Sequence, residues 1–205
     1  MTLTTGCTFC DARPQFYDRH SGQYVCPEHA RLEVVAAGSR PSVLPPAIRS
    51  ATTADYPRIE ELSLYFWNET DVDCFGRRYD VLACPALVAC DGEEVVGVAA
   101  YAVEPEWDAV VLVILNLLPD HQGRGGARAL LDALRDEAAR RGVGRIWVVT
   151  SNDDLPALAL YQRYGFRLIG IVPGREVEEH GGEFSGFAGI PVRDEIRLEY
   201  RLGGA

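Results

Sequence analysis

Residues 117–127 read LLPDHQGRGGA and join an apolar run to a helical pattern. The preceding residues 109–118 are rich in β-branched side chains, which predicts a strand buried on both faces. From Ala127 to about Arg141, apolar residues recur at three- and four-residue spacing, which predicts a helix with one core-facing stripe. The first N–H groups of a helix have no intrahelical partner and bind phosphate readily. The glycine turn is therefore interpreted as a pyrophosphate-binding site, with Arg124 as a further phosphate contact.

The glycine turn alone is a weak signal. It is not a Walker loop, because no Gly-Lys-Ser/Thr follows, and it lacks the third glycine of the dinucleotide fingerprint. A purely structural glycine turn on an unrelated α/β domain stays open at this point. A second segment, residues 160–166 with the sequence LYQRYGF, makes the pattern more specific.

Together the two segments resemble the GNAT acetyltransferase superfamily. The family signature Q/R-x-x-G-x-G/A maps onto Gln122, Gly125 and Ala127, and the tyrosine that stands four residues before a Gly-Phe pair maps onto Tyr161. The order of predicted elements over residues 47–202 is similar as well. The resemblance implies an α/β (α+β) fold, in which a mixed, mostly antiparallel sheet is split at its centre and flanked by helices.

The resemblance also implies acetyl-CoA as co-substrate and direct transfer of its acetyl group to an amine. The pantetheine arm would lie in the split of the sheet, where a backbone N–H stabilises the thioester oxygen. Tyr161 is the implied general acid for the departing thiolate, with a tyrosine that merely packs in the core as the alternative. For Asn152, a further expected cofactor contact, the alternative is a helix-entry cap. The other residues expected to bind the cofactor are Leu115, Asn116, Leu117, Gln122, Gly123, Arg124, Gly125, Gly126 and Ala127.

The general base does not follow from the resemblance. Many relatives carry a glutamate in the strand before the glycine turn, but here residues 110–113 read VVLV. Glu104, at the end of the preceding hairpin strand, is the chosen candidate, with Asp108 and a carboxylate acting through water as alternatives. A solvated surface charge is the simpler interpretation of each.

The N-terminus carries a separate pattern, Cys7-x-x-Cys10 followed by Cys26-x-x-His29. Structural zinc takes four Cys or His ligands in a tetrahedron, and a Cys-x-x-Cys turn aims two sulfurs at one centre. We therefore expect these four side chains to hold a structural Zn²⁺, with a redox Cys-x-x-Cys pair as the alternative and His20 as a spare ligand. The expected organisation is a zinc-binding module at 1–32, a linker at 33–46 and an acetyltransferase domain at 47–205.

The formal net charge of -10 disfavours binding to nucleic acid and to anionic membranes. Acidic residues concentrate on the first predicted helix and the loop after it, where they either attract a cationic amine or form an exposed face. These residues are Glu60, Glu61, Glu69, Asp71 and Asp73. Trp67, Phe75 and Trp107 are candidates to line an acceptor site, with core packing as the alternative.

No apolar run is long enough to span a bilayer and no secretory signal is evident, so a cytoplasmic location is expected. The leading hypothesis is an N-acetyltransferase acting on a small-molecule or protein amine, with a homodimer left open. The alternative is a non-catalytic acyl-CoA-binding scaffold or sensor whose zinc module docks a protein partner.

Overall fold

The computed structural model describes residues 16–18, 23–26 and 45–203. Its strands in chain order are β1 (Phe16–Asp18), β2 (Gln23–Val25), β3 (Ala47–Ser50), β4 (Asp71–Cys74), β5 (Arg77–Asp80), β6 (Ala86–Asp91), β7 (Glu94–Glu104), β8 (Ala109–Leu117), β9 (Arg145–Ser151), β10 (Arg167–Val172), β11 (Phe184–Ser185), β12 (Pro191–Val192) and β13 (Glu195–Arg201). Its helices are α1 (Tyr56–Phe66), α2 (Gly126–Arg140), α3 (Leu155–Tyr164) and α4 (Arg175–His180). Within the described chain, none of these helices is both long and apolar enough to cross a membrane.

Seven strands form one sheet, in the spatial order β10-β13-β9-β8-β7-β6-β3. Neighbouring strands are antiparallel except β8 and β9, which run parallel. Parallel neighbours need a crossover connection, and here α2 supplies it, with Leu130, Leu131 and Leu134 buried on its apolar stripe. The mixed, mostly antiparallel sheet with flanking helices that the family resemblance implies is thus confirmed.

The sheet opens at its centre, between β8 and β9. These two strands are in register only over residues 109–112 of β8. Beyond this point β9 continues along β13, and β8 continues along β7. The β7–β8 register shifts at Val113, which is the extra residue of a β-bulge. A bulge bends the strand that carries it, so β8 leaves β9 at the residue where the sheet divides.

Residues 68–80 form a structure that the sequence does not predict. The acidic, irregular sequence favours a loop with a helical turn, and this is wrong, because β4 and β5 pair as a hairpin. Phe75 and Gly76 make its turn with positive φ angles of 56° and 78°. Phenylalanine rarely adopts the left-handed region that such a turn needs. The residues at the turn therefore carry no recognisable hairpin signal.

The expected zinc ligands fall largely outside the described residues. Cys7, Cys10 and His29 lie outside them, whereas Cys26 directly follows β2 and is buried, with 2% of its surface exposed. β1 pairs with β2 and contacts the 3-10 turn that precedes the glycine turn. Among residues 16–18, 23–26 and 45–203, no group of three or more His, Cys, Asp or Glu side chains is arranged to hold a metal.

Candidate active site

The glycine turn connects the end of β8 to the first residue of α2. Gly123 and Gly125 have positive φ angles of 66° and 87°, which glycine adopts without strain. A Cβ on Gly126 would lie 2.9 Å from Pro46 Cγ and 3.0 Å from Leu117 Cδ2, so no larger residue fits there without a shift. Gln122 Nε2 donates to the Leu117 carbonyl over 3.0 Å and ties the turn to the strand. The local sequence thus fixes where the N–H groups of the first turn of α2 are presented.

The backbone of β8 presents alternate residues to the opening. Leu118 N donates to Val96 O of β7 over 2.9 Å. In an antiparallel ladder, N–H and C=O groups of alternate residues point to opposite sides. The backbone groups of Leu115 and Leu117 therefore point away from β7, toward the gap between β8 and β9, while those of Asn116 point toward β7. Of Leu115, Asn116 and Leu117, where a backbone N–H is expected to bind the thioester oxygen, only Leu115 and Leu117 have that N–H directed toward the gap.

A cavity of about 590 Å³ lies at this opening. Tyr161, the expected general acid, lines it. The expected cofactor residues that line it are Leu115, Asn116, Leu117, Gln122, Gly123 and Ala127. Arg124, Gly125, Gly126 and Asn152 are not lining residues. The structure therefore gathers the β8 edge, the glycine turn and the helix tyrosine into one site.

Tyr161 is placed on α3 with its side chain 5% exposed. Its ring lies 5.3 Å from that of Phe166, so it packs in the core and lines the cavity at once. Burial, reinforced by the negative charge of Asp154, raises the pKa of the Tyr161 phenol well above its usual value. The hydroxyl is therefore fully protonated at neutral pH and can act as a proton donor.

Asp154 caps α3 and lines the same cavity. Its carboxylate accepts from Ala157 N over 3.1 Å and from Thr150 Oγ1 over 3.0 Å. Burial, to which the charge of Asp153 adds, raises the pKa of Asp154 to about 6. The sequence indicated no functional role for this residue, which begins the helix predicted after β9.

The wall of the cavity next to α1 contains Phe66, Trp67 and Glu69. Trp67 Nε1 donates to Asn116 Oδ1 over 3.1 Å. The Asn116 side chain is 4% exposed, and its Nδ2 has no hydrogen-bond partner among the described residues. The indole N–H can only donate, so the Asn116 atom that it contacts must be the amide oxygen. The amide nitrogen Nδ2 is therefore left as a buried donor.

A further part of the cavity wall comes from the segment between β10 and β13. The sequence predicts a glycine- and glutamate-rich loop over a site at residues 173–190, and the structure shows α4, β11 and a 3-10 turn there. Glu176 and His180 line the cavity, with His180 Nε2 3.5 Å from Glu176 Oε2. Burial raises the pKa of Glu176, and the nearby charges of Glu195 and Asp153 raise it further, while His180 opposes the shift.

Asn152 anchors this segment instead of lining the cavity. Its Oδ1 accepts from Arg193 N over 2.8 Å and from Asp194 N over 2.9 Å, and its Nδ2 donates to Pro191 O over 2.9 Å. The neighbouring Asp153 accepts from Phe187 N over 2.8 Å. The amide groups of Asn152 are thus committed to the protein backbone and are not directed at the cavity.

Glu104 lies at the end of β7 and does not line the cavity. Its carboxylate is paired with Arg77, and it accepts from Tyr79 Oη over 2.8 Å. Both partners belong to the hairpin β4–β5, which the sequence did not predict. The Glu104 carboxylate is therefore not positioned to take a proton from an amine in the cavity.

The three candidate acceptor-lining aromatics separate in the structure. Trp67 lines the cavity. Phe75 and Trp107 instead pack on Trp147, at ring-centroid distances of 4.9 Å and 5.5 Å.

The functional candidates that sequence reasoning missed are Asp153, Asp154, Glu176 and His180. Two signals were available for them: the acidic helix entry after β9 and the charged residues of 173–190.

A family model described as "Acetyltransferase (GNAT) family" matches residues 46–166. A streptothricin acetyltransferase from Streptomyces lavendulae is 31% identical over 84 residues, which are 41% of this chain and 44% of that protein. An L-methionine sulfoximine/L-methionine sulfone acetyltransferase from Pseudomonas aeruginosa is 30% identical over 148 residues, covering 62% of this chain and 83% of that protein. The match thus spans less than half of the streptothricin enzyme.

Solved structures show the same fold. An IAA acetyltransferase from Bacillus cereus has a TM-score of 0.64 at 24% identity, with 76% of this chain and 99% of that chain covered. A GNAT family acetyltransferase from Elizabethkingia anophelis with acetyl-CoA bound has a TM-score of 0.60 at 18% identity, with 76% and 97% covered. Because the family model covers more than half of the chain, and because the divided sheet, the glycine turn and the helix tyrosine are all present, the chain belongs to the GNAT family of acetyltransferases.

Proposed function

We propose that the protein transfers the acetyl group of acetyl-CoA directly to an amine. The observation that carries the proposal is the opening between β8 and β9, which leads to the glycine turn at one end and to Tyr161 within the same cavity.

The residues present fit the diphosphate and pantetheine parts of acetyl-CoA. The first turn of α2 offers N–H groups and the positive end of the helix dipole to the diphosphate, and Gly126 is closely packed against Pro46 and Leu117. The backbone groups of Leu115 and Leu117 would pair with the pantetheine amides and the thioester oxygen. When bound, acetyl-CoA supplies the thioester that is the acyl donor.

Two side chains would handle the protons of the reaction. We assign Glu176 as the general base, because it lines the cavity and burial raises its pKa, which makes its carboxylate a stronger base. Glu176 would take a proton from the acceptor ammonium, and the freed amine would attack the thioester carbon while the backbone N–H of Leu115 or Leu117 donates to the thioester oxygen. As the carbon–nitrogen bond replaces the carbon–sulfur bond, the Tyr161 hydroxyl would donate its proton to the departing sulfur. The new amide nitrogen would lose its second proton, which restores the Tyr161 hydroxyl.

The acceptor is not specified by the relatives. Their names give streptothricin, L-methionine sulfoximine or sulfone, and an alanine of ribosomal protein bS18 as what they acetylate. The common element is transfer of an acetyl group, so the proposal is tested first at that level. Purified protein is expected to bind acetyl-CoA in calorimetry and to release free thiol with some members of an amine panel. Absence of acetyl-CoA binding would refute the proposal.

We further propose that the four N-terminal ligands Cys7, Cys10, Cys26 and His29 hold one structural Zn²⁺. The burial of Cys26 at the end of a short hairpin supports this, because so small a module has little core of its own. Metal analysis of purified protein is expected to give one zinc per chain, and Cys26→Ser is expected to abolish it. Metal-free protein with unchanged stability in a strong chelator would contradict the assignment.

A further inference from the structure

The charged side chains that line the cavity are predominantly acidic. The carboxylates are Glu69, Asp153, Asp154 and Glu176, and His180 is the one basic group with them; no arginine lines the cavity in the part of the chain that the structure describes. The chain contains no lysine. A ligand in this cavity therefore meets a negative potential from more than one wall.

Only part of this negative charge is neutralised by protein. Glu176 faces His180 on its own helix, with Glu195 of β13 and Asp153 of the β9–α3 connection as further negative neighbours. Asp153 and Asp154 accept hydrogen bonds from neutral donors, which solvate a carboxylate without cancelling its charge. Glu69, on the α1 wall, has no ion-pair partner among the residues described. A bound cation would supply the missing counter-charge.

A second observation comes from Asn116. Its Nδ2 is a buried donor without a partner among the described residues, and Asn116 bonds to Trp67 and lines the same cavity as Glu69. An unsatisfied buried donor is costly, and a ligand oxygen would remove that cost. The donor is neutral, and the acidic side chains that line the same cavity would repel a carboxylate ligand. The oxygen that Nδ2 suits is therefore that of a neutral group such as an amide carbonyl or a hydroxyl.

We propose that the acceptor is an amine that carries a second cationic group and a neutral carbonyl or hydroxyl oxygen, and that it lacks a carboxylate. In this arrangement Glu176 serves the reacting amine, Glu69 pairs with the second cation, and Asn116 Nδ2 donates to the neutral oxygen. The inference rests on the proposed acetyl transfer and specifies its substrate class.

Three matched amines test the substrate class with the full-length protein and acetyl-CoA: lysine, its carboxamide lysinamide, and cadaverine, which lacks the carboxyl carbon altogether. We expect kcat/KM for lysinamide to exceed that for lysine by at least about tenfold, because a carboxylate in the cavity faces like charges. Lysinamide is expected to exceed cadaverine several-fold through the Asn116 contact. Equal or faster turnover of lysine, or turnover of neither dicationic amine, would overturn the proposal.

A pair of variants tests the residue assignment. Glu69→Gln is expected to lower kcat/KM for lysinamide at least about fivefold while leaving the Kd for acetyl-CoA unchanged. The control is Glu60→Gln, which removes the same charge from an exposed position on α1 and is expected to change neither value. Equal effects of the two variants would show that only the overall charge matters and would overturn the Glu69 assignment. If the unmodified protein does not bind acetyl-CoA, the acetyltransferase proposal itself is refuted.

Discussion

Tyr161 occupies a position that is compatible with both core packing and its proposed role as general acid. Its ring packs against Phe166 in the core, yet its residue also lines the cavity. The sequence left these two interpretations as alternatives, and the structure shows that they are compatible. Burial raises the pKa of the phenol and keeps its hydroxyl protonated at neutral pH, so a proton is present at the site when the thiolate leaves.

Removal of the Tyr161 hydroxyl is the direct test of its proposed role. We expect Tyr161→Phe to lower kcat by about 10²- to 10⁴-fold, the usual contribution of a general acid, with little change in the Kd for acetyl-CoA. Phenylalanine keeps the ring and its packing. Steady-state kinetics combined with calorimetry checks this outcome, and an unchanged kcat would remove Tyr161 from the mechanism.

Asp154 should leave a measurable signature in the pH dependence of stability. Its pKa is about 6 in the folded protein, against a usual value of 3.8. Between these values the folded state binds more protons than the unfolded state, so this group's contribution to the free energy of unfolding falls as pH rises from about 4 to 6. At neutral pH the ionised carboxylate costs no more than about 3 kcal/mol, and less where cavity water solvates it.

Asp154→Asn isolates this contribution, because asparagine is also a good N-cap. The variant is expected to match the unmodified protein near pH 4 and to gain in free energy of unfolding, relative to it, as pH rises to 7. Urea denaturation at several pH values measures the difference in free energy of unfolding between the variant and the unmodified protein. The contributions of the other titrating groups are common to both proteins and cancel in this difference. A difference that stays constant with pH would show that the carboxyl does not titrate in this range.

At the scale of elements, the segment between β10 and β13 determines the acceptor side of the cavity. It contributes Glu176 and His180 and is fastened by Asn152 and Asp153, whose side chains bond to its backbone. A Cβ on Gly186 would lie 2.0 Å from Asp153 Oδ2 and 2.6 Å from Val192 Cγ2. Glycine is therefore required where this segment passes over the end of β9.

Gly186→Ala should loosen this wall while sparing the acetyl-CoA side of the cavity. We expect the KM for the acceptor to rise by roughly tenfold, at a cost of about 1–3 kcal/mol in stability from overpacking, with the Kd for acetyl-CoA little changed. Gly182→Ala is the matched control, because a Cβ there meets no atom of the described residues within 4 Å. Equal KM values for the two variants would argue against a role of this segment in acceptor binding.

At the scale of the whole molecule, sequence and structure agree where the information is local. The glycine turn, the stripe of α2 and Tyr161 four residues before Gly165 are short patterns. They predicted the α2 end of the site, and the family that they resemble implied the divided sheet. The Glu104 expectation depended on what surrounds the end of β7, and Arg77 reaches it from a hairpin 27 residues away in sequence. Asn152 likewise bonds across 39 to 42 residues. Such partners cannot be derived from spacing along the chain.

The acidic character of the cavity is also a property of the whole molecule. Glu69 follows α1, Asp153 follows β9 and Glu176 belongs to α4, so only the fold brings their carboxylates to one cavity. From the sequence alone, the acidic residues around α1 could either attract a cationic amine or form an exposed face. The structure divides them, because Glu69 lines the cavity whereas Glu60 is exposed.

The central claim is that the opening between β8 and β9 holds the pantetheine of acetyl-CoA while the start of α2 holds its diphosphate. A crystal structure of the protein with acetyl-CoA measures this directly. We expect diphosphate oxygens within hydrogen-bond distance of backbone N–H groups at residues 123–127, and the pantetheine alongside Leu115 and Leu117. A nucleotide bound elsewhere, or β8 and β9 paired along their full length, would contradict the account.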